Sequence, residues 1–367
     1  MKVSIIGTVG IPANYGGFET LVEQLVRHNN SEDLEYAVYC SDKTYKKRRW
    51  VYHGAKMEYV GLNANGLQSI PFDIISLIRA ARKSDAVLVL GVSGCIFLPI
   101  FRLFSNKKLI INIDGLEHKR DKWNKYVRRF LKFSEKMAIK YGDIIISDNK
   151  GIAEYVKKEY NVGSELIAYG GDHVMVNVSE SETEQVLNAY DLKKGEYSFA
   201  LCRIEPENNI HAILQAFKEI PEQKLVFVGN WDRSEYGKKL FQEYGDVKNI
   251  KLLQAIYNLT TLNVLRGNCK YYIHGHSAGG TNPSLVEAMF FGKPIIAFDC
   301  VYNRATTKSK AAYFKSSDDL SKILNDTTIT SSQMGQEMRA IAEKEYTWDH
   351  IAQQYESLYQ KNAKSVR

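Results

Sequence analysis

The five cysteines of this 367-residue chain, Cys40, Cys95, Cys202, Cys269 and Cys300, are far apart, and no two have metal-ligand spacing. That argues against a disulfide scaffold or a zinc ribbon and predicts reduced, mostly packed thiols in a cytosolic protein. A long hydrophobic run is missing too. The most apolar stretch, residues 86–104 (AVLVLGVSGCIFLPIFRLF), is broken by Gly91, Ser93, Gly94, Pro99 and Arg102. A membrane-spanning helix needs roughly 20 continuous apolar residues. The opening MKVSIIGTVG turns polar too soon for a signal peptide and reads as a first strand. Gly7, Gly10, Gly16 and Gly17 lack the GxGxxG spacing, and Pro12 intervenes, which argues against an ordinary dinucleotide enzyme. HExxH, a Cys–His cluster and DxD are also missing, so no resident metal or cofactor is expected.

What is present is a soluble composition, 44% hydrophobic and 25% charged, in a chain long enough for two domains. The net charge of +7 is unevenly spread. Residues 1–170 hold 26 Lys and Arg against 18 Asp and Glu, whereas the remainder holds 23 against 24. The excess peaks in residues 118–140, HKRDKWNKYVRRFLKFSEKMAIK, with nine basic and two acidic side chains. Basic residues interleaved with Trp and Tyr suit an anionic phospholipid surface, and they also suit a solvated helix face. No nucleic-acid motif accompanies the charge, so nucleic acid is not expected as a partner.

Short β-rich runs alternate with helix-like segments twice over. KVSIIGT, EYAVYCS, AVLVLGV, KLIINID and DIIISD lie in the first half; YSFALCRI, KLVFVGN, NIKLLQAI, KYYIHGH and PIIAFD lie in the second. This predicts an α/β protein of two doubly wound, Rossmann-like domains facing a central cleft. The boundary falls in the polar stretch around residue 172, giving domains 1–172 and 173–347. The amphipathic tail, 348–364, is expected to return to the first. In such sheets ligands bind at the carboxyl ends of strands, so the strand-to-helix turns hold the candidate residues.

The turn GHSAGGTNPSLVEAM joins a strand to a helix. Gly279, Gly280, Thr281 and Asn282 stand at the helix start, Pro283 at its first turn and Glu287 about one turn in. Glycines let the backbone approach a ligand, and amides at a helix start suit a diphosphate. Glu287 could accept hydrogen bonds from a sugar hydroxyl; the same residues also fit a simple turn with an exposed glutamate. A second turn, CRIEPEN, places Arg203 at a strand end, suited to holding phosphate or to an inter-strand ion pair. Two further strand ends carry carboxylates and imidazoles: Asp114, Glu117 and His118 after one, Asp172 and His173 after the other.

The ordered set GGFE (16–19), CRIEPEN (202–208), VGN (228–230), GGTNPSLVEAM (279–289) and GKPIIAFD (292–299) resembles the family-4 glycosyltransferases of the GT-B fold. YGGFET, DGLEHKRDKW and HSAGGTNPSLVEAM look closest to the bacterial rhamnosyltransferase-like enzymes of polysaccharide assembly. The resemblance implies a metal-independent, retaining transfer of a sugar from a nucleotide-sugar, dTDP-L-rhamnose, to a lipid-diphosphate-linked saccharide. It puts Glu287 on the donor ribose and Arg203 on the diphosphate, with Asn208, Asn230 and Gly279 also on the donor side. Amides around Gly280, Thr281 and Asn282 would meet the terminal phosphate. Gly16, Gly17, Asp114, Glu117 and His118 would face the acceptor, and Asp114 would orient or deprotonate its hydroxyl.

The sequence departs from the family pattern at three places. Gly279 replaces the first of two glutamates, Asn208 or Asn209 replaces a lysine after the phosphate arginine, and His118 stands where a tryptophan is common. The role of His276 is open. The implied location is cytoplasmic and peripheral, at the inner face of the cell membrane, with the basic first domain as the contact. A GT-B-fold epimerase of a nucleotide-sugar, or a non-catalytic nucleotide-sugar-binding subunit, are the alternatives.

Overall fold

The computed structural model describes residues 1–13, 16–120, 123–326 and 331–361. The chain divides into two compact units, residues 1–169 with 348–367 and residues 170–347. Both are α/β.

The first unit holds β1 (Lys2–Ile6), β2 (Glu35–Ser41), β3 (Val51–Tyr52), β4 (Ala55–Val60), β5 (Ala86–Leu90), β6 (Lys108–Asn112), β7 (Ile144–Ser147) and β8 (Glu165–Leu166). Their order in the sheet is β3-β4-β2-β1-β5-β6-β7-β8, parallel except for the β3–β4 pair. The helices between them are α1 (Gly17–Arg27), α2 (Ser69–Lys83), α3 (Leu98–Phe104), α4 (Lys125–Tyr141) and α5 (Lys150–Tyr160). β5 and β7 are buried along their whole length, which is why they read as unbroken apolar runs.

The second unit holds β9 (Tyr197–Leu201), β10 (Lys224–Val228), β11 (Ile250–Leu253), β12 (Tyr271–His274), β13 (Ile295–Phe298) and β14 (Ala312–Phe314). They form one parallel sheet ordered β11-β10-β9-β12-β13-β14. Its helices are α6 (Glu180–Ala189), α7 (Ile210–Glu219), α8 (Glu235–Tyr244), α9 (Leu259–Gly267), α10 (Pro283–Met289), α11 (Val301–Thr306), α12 (Ser317–Asn325) and α13 (Ser332–Glu345).

The last helix, α14 (Trp348–Gln360), belongs to the first unit. Trp348, Ile351, Ala352, Tyr355, Leu358 and Tyr359 recur at helical spacing and bury into the same core as Val3, Ile5, Val38 and Leu25. Lys108 Nζ donates to the carbonyls of Leu358 and Tyr359, satisfying groups that a helix end leaves open. Residues 362–364 of the expected tail helix lie outside the described residues.

The apolar stretch 86–104 divides into β5, a 3-10 turn at 93–97 and α3. Among the described residues no helix is long and apolar enough to cross a membrane. The β3–β4 hairpin is not evident from the pattern of the sequence. β4, one strand in from the sheet edge, mixes Lys56 and Glu58 with buried Ala55, Met57 and Val60. His53 and Gly54, with φ of 45° and 80°, make the two-residue turn whose twist suits a hairpin.

The turn after β5 rests on a buried carboxylate. Asp73 of α2 accepts a hydrogen bond from Ser93 Oγ at 2.6 Å and another from the Gly94 amide. Burial pushes its carboxyl up to about 7, against the lowering effect of those two donors. Unfolded, the group titrates near 3.9, so between about pH 4 and 7 the folded chain keeps a proton that the unfolded chain releases. This contribution to stability is therefore present in acid and lost as pH rises, by up to about 1.4 kcal/mol per pH unit. Urea unfolding of Asp73→Asn should show a smaller loss of stability from pH 5 to pH 8 than the parent; identical losses would refute the assignment.

Candidate functional site

In the second unit the chain adds β10 and β11 on one side of β9, then crosses to add β12, β13 and β14 on the other. The turns after β9 and β12 therefore diverge to opposite faces from neighbouring strands, which opens a crevice at their carboxyl ends. Arg203 lies in the first of these turns and Gly279–Asn282 in the second. The two turns are fastened together. Ser277 donates to the Glu207 carbonyl from its amide at 3.1 Å and its hydroxyl at 2.8 Å, and Asn209 Nδ2 donates to the Gly275 carbonyl at 2.9 Å. A Cβ on Gly275 would stand 2.1 Å from the Asn208 carbonyl, so only glycine permits this approach.

Within the first turn, Asn208 is buried and its Nδ2 donates to the Arg203 carbonyl at 2.7 Å. Its amide shapes the turn. The Arg203 side chain is 42% exposed, with Glu205 at 3.8 Å, a loose pair that holds it weakly. Asn230 follows β10 beside this turn, because the preceding Gly229 packs on Ile204 and the Cys202 carbonyl.

In the second turn, Gly279 has φ of 104° and open space where a side chain would be. Gly280 shares the bend, and Thr281 is buried. Asn282 caps α10, its Oδ1 accepting from the Ser284 amide at 3.1 Å and hydroxyl at 2.8 Å.

Glu287 is not the exposed helix carboxylate of the simpler reading. Its Oε2 accepts from Arg266 Nη2 at 2.5 Å, and Arg266, on α9, is only 3% exposed. On its other side His173 Nε2 lies 3.8 Å from Oε1. The chain brings His173 there by passing close over α10 at Gly171, where a Cβ would meet Val286 and the Glu287 amide within 3 Å. Glu287 thus has one oxygen locked inward and the other turned toward an imidazole. Sequence reasoning missed Arg266. The available signal was a lone arginine closing LTTLNVLRG beside Leu262, Val264 and Leu265, all buried.

In the first unit the same reversal falls between β1 and β5. The loop after β1 is tied to α1 by two carboxylates one turn apart. Glu19 Oε1 accepts from Thr8 Oγ1 and the Val9 amide, both at 3.0 Å, and Glu23 Oε2 accepts from the Ala13 amide at 2.6 Å. Gly16, with φ of 136°, leaves the room that the Glu19 carboxylate occupies, and Gly17 begins the helix. In GGFE the glutamate is a fastener.

Asp114 follows β6 in a left-handed conformation, φ 60°, uncommon for a residue with a side chain. Its amide donates to Asn112 Oδ1 at 3.0 Å, and Asn112 Nδ2 donates to the Tyr355 hydroxyl of α14 at 3.0 Å. The C-terminal helix therefore sets the backbone of Asp114. Glu117 accepts from Arg120 Nη1 and Trp123 Nε1, both at 2.9 Å. His118 Nδ1 lies 3.0 Å from Glu135 Oε2 on α4. Burial alone would raise the Glu135 carboxyl, but hydrogen bonds from His118, Tyr160 and Tyr155 and the charge of His118 hold it down, at about 2. Glu117 and His118 thus secure the loop, while Asp114 is the member of the trio set in a strained conformation.

Among the described residues no group of three or more His, Cys, Asp or Glu side chains could hold a metal ion.

Residues 1–172 match a family described as a domain of unknown function, DUF1972, and residues 184–346 match glycosyl transferases group 1. No curated protein matches the sequence. Solved structures do share the fold. Sucrose-phosphate synthase from Thermosynechococcus elongatus superposes with a TM-score of 0.80 at 16% identity, over 98% of each chain. HepE from Anabaena in complex with UDP-glucose gives 0.74 at 15%, over 98% of this chain and 100% of that one. A glycosyltransferase from Rickettsia africae gives 0.72 at 12%, over 99% of each. The architecture is GT-B, with two Rossmann-like domains.

Breaking the buried pair from one side leaves a carboxylate with its main partner gone. Arg266→Met should cost about 3–5 kcal/mol in urea unfolding. Arg266→Met/Glu287→Leu should recover most of that loss, and strictly additive effects would show that the two side chains do not act as a pair.

Proposed function

We propose that this chain, whose second unit is a group 1 glycosyl transferase domain joined to a DUF1972 unit, transfers a sugar from a nucleoside-diphosphate donor. The observation that carries the reading is the fastened pair of turns at the strand-order reversal of the second unit. One displays Arg203 to solvent, and Glu287 lies just beyond the other, fixed by Arg266. An exposed guanidinium suits the diphosphate, and an oriented carboxylate suits vicinal hydroxyls of the ribose. Gly280, Thr281 and Asn282 offer backbone to the terminal phosphate, and Asn230 lies on the same donor side.

The acceptor reading rests on Asp114. The acceptor oxygen approaches the anomeric carbon on the same face that the diphosphate leaves, the bond from that carbon to the diphosphate oxygen breaks, and the nucleoside diphosphate leaves on Arg203. The hydroxyl proton passes to the Asp114 carboxylate. In this reading Gly16 and Gly17 border the acceptor, the reaction retains configuration, and it needs no metal. The motifs shared with rhamnosyltransferase-like enzymes favour dTDP-L-rhamnose as donor and a lipid-diphosphate-linked saccharide as acceptor, in bacterial cell-surface polysaccharide synthesis.

A lipid-linked acceptor calls for contact with a membrane, and α3 and α4, packed side by side, support one. Leu103 is 85% exposed, and Ile100, Phe104, Tyr126 and Phe133 are also large apolar side chains left in solvent. Arg129, Lys136 and Lys140 are exposed on α4, whose only acidic residue, Glu135, is buried. An apolar crest flanked by cations fits an anionic bilayer at the inner face of the cell membrane.

Thermal unfolding with dTDP, UDP and GDP tests the donor site. A ligand at about 100 times its dissociation constant adds roughly 2.7 kcal/mol. dTDP should raise the midpoint most; a larger response to UDP or GDP would remove the dTDP assignment, and no response to any would remove the donor site. Glu287→Ala should lose the response, whereas Asp114→Asn should keep it and lose transfer. Sedimentation with phosphatidylglycerol-rich vesicles should carry down the parent and far less of Leu103→Ser/Phe104→Ser; equal pelleting would reject the α3–α4 contact.

A further inference from the structure

A second concentration of charge in the first unit lies away from α3 and α4 in sequence, in the segment that leads into the hairpin at the sheet edge. Residues 43–57 contain Lys43, Lys46, Lys47, Arg48, Arg49 and Lys56 and no Asp or Glu. Lys46 through Val51 are exposed without interruption, and the Trp50 indole is 72% exposed. Tryptophan is among the side chains that gain most from burial, so one left in water amid cations needs a reason.

The segment is held rigidly. The Tyr59 hydroxyl accepts from the Arg49 amide at 2.9 Å and donates to the Arg49 carbonyl at 3.0 Å. The Met57 amide donates to the Trp50 carbonyl at 3.0 Å, and the Trp50 ring meets Tyr59 edge-on at 6.5 Å. Arg48 pairs with Asp42 at 2.9 Å and lies over the Tyr59 ring, while Arg49 lies over Tyr52. The two arginines are thus partly committed to the hairpin, and the two lysines extend the charge outward. Glu58, the nearest carboxylate along β4, is occupied by Lys83 at 2.7 Å.

We infer that this hairpin is a second membrane anchor, in which Trp50 enters the headgroup layer of an anionic bilayer and Lys46 and Lys47 meet the lipid phosphates. The inference rests on the reading of a membrane-bound acceptor given above. An indole is suited to the interface because one edge is polar and the body is apolar, and basic side chains beside it add attraction to anionic lipid. The rigid mount matters, since little side-chain or backbone freedom is lost on docking. With α3–α4 as one contact, a second would fix the tilt of the first unit against the membrane.

Vesicle binding and tryptophan quenching test this. Parent protein should bind phosphatidylglycerol-rich vesicles and not phosphatidylcholine ones. Lys46→Gln/Lys47→Gln should weaken that binding roughly 25-fold, at about fivefold for each cation. Phosphatidylglycerol with brominated acyl chains should quench parent fluorescence, and Trp50→Phe should lose most of the quenching. Trp231 and Trp348 are buried and do not report, and Trp123 sets the remainder. Unchanged quenching in Trp50→Phe, or unchanged binding of the double lysine variant, would overturn the inference. So would a loss of affinity for an oligonucleotide or acidic oligosaccharide with vesicle binding intact. Vesicle binding lost in Leu103→Ser/Phe104→Ser but not in the hairpin variants would sink the hairpin alone. A parent that binds no vesicle would sink the membrane contact itself.

Discussion

Each unit adds strands in one direction and then reverses, and the turns on either side of that reversal have no sheet hydrogen bonds to align them. The rest of the site depends on how this gap is held. In the second unit backbone-directed contacts close it: Ser277 on the Glu207 carbonyl, Asn209 on the Gly275 carbonyl, and Gly275 seated against Asn208. In the first unit the loop after β1 is held to its own helix instead, with Glu19 and Glu23 of α1 accepting from Thr8, Val9 and Ala13. The glycines of these segments serve close approach as much as flexibility.

In each unit, polar groups singled out as candidates are set by partners distant in sequence. Glu287 takes its orientation from Arg266 on a different helix, and His173 arrives from the segment that opens the second unit. Asp114 takes its backbone conformation from Asn112, which is in turn fixed by Tyr355, some 240 residues away. α14 is therefore both a piece of the first unit's core and the support of the residue assigned to the acceptor. Glu135 plays a comparable part for His118, where several donors outweigh the burial that would otherwise raise its carboxyl.

The surface of the first unit follows a different rule. α4 hides its one carboxylate and exposes Arg129, Lys136 and Lys140, and residues 43–57, leading into the β3–β4 hairpin, carry cations with no carboxylate. Surface ion pairs contribute little to stability, so cations left with few of them lose little by it and keep their field for a partner. The exposed apolar side chains of α3 and the indole of Trp50 share these surfaces, which gives them an affinity for an interface rather than for water.

The sequence by itself determined the alternation of strands and helices, the two-domain organisation and the positions of the turns. Periodicity and glycine placement are local properties, and KLIIN or IIAF, each buried almost throughout, announces itself as a strand of a covered parallel sheet. It also put forward Arg203, Asp114 and Glu287 as candidates. Only the tertiary structure decided what those residues touch. Arg266 drew no attention in the sequence, and its partner came into view only where α9 meets α10. The contacts of Glu117 with Trp123 and Arg120, and of His118 with Glu135, were likewise not legible in the sequence. The β3–β4 hairpin, with a two-residue strand and an alternating partner, carries too little apolar pattern to read. Pairings between residues far apart in the chain leave no periodic trace, because each is set by the packing of whole elements rather than by the spacing of side chains along one.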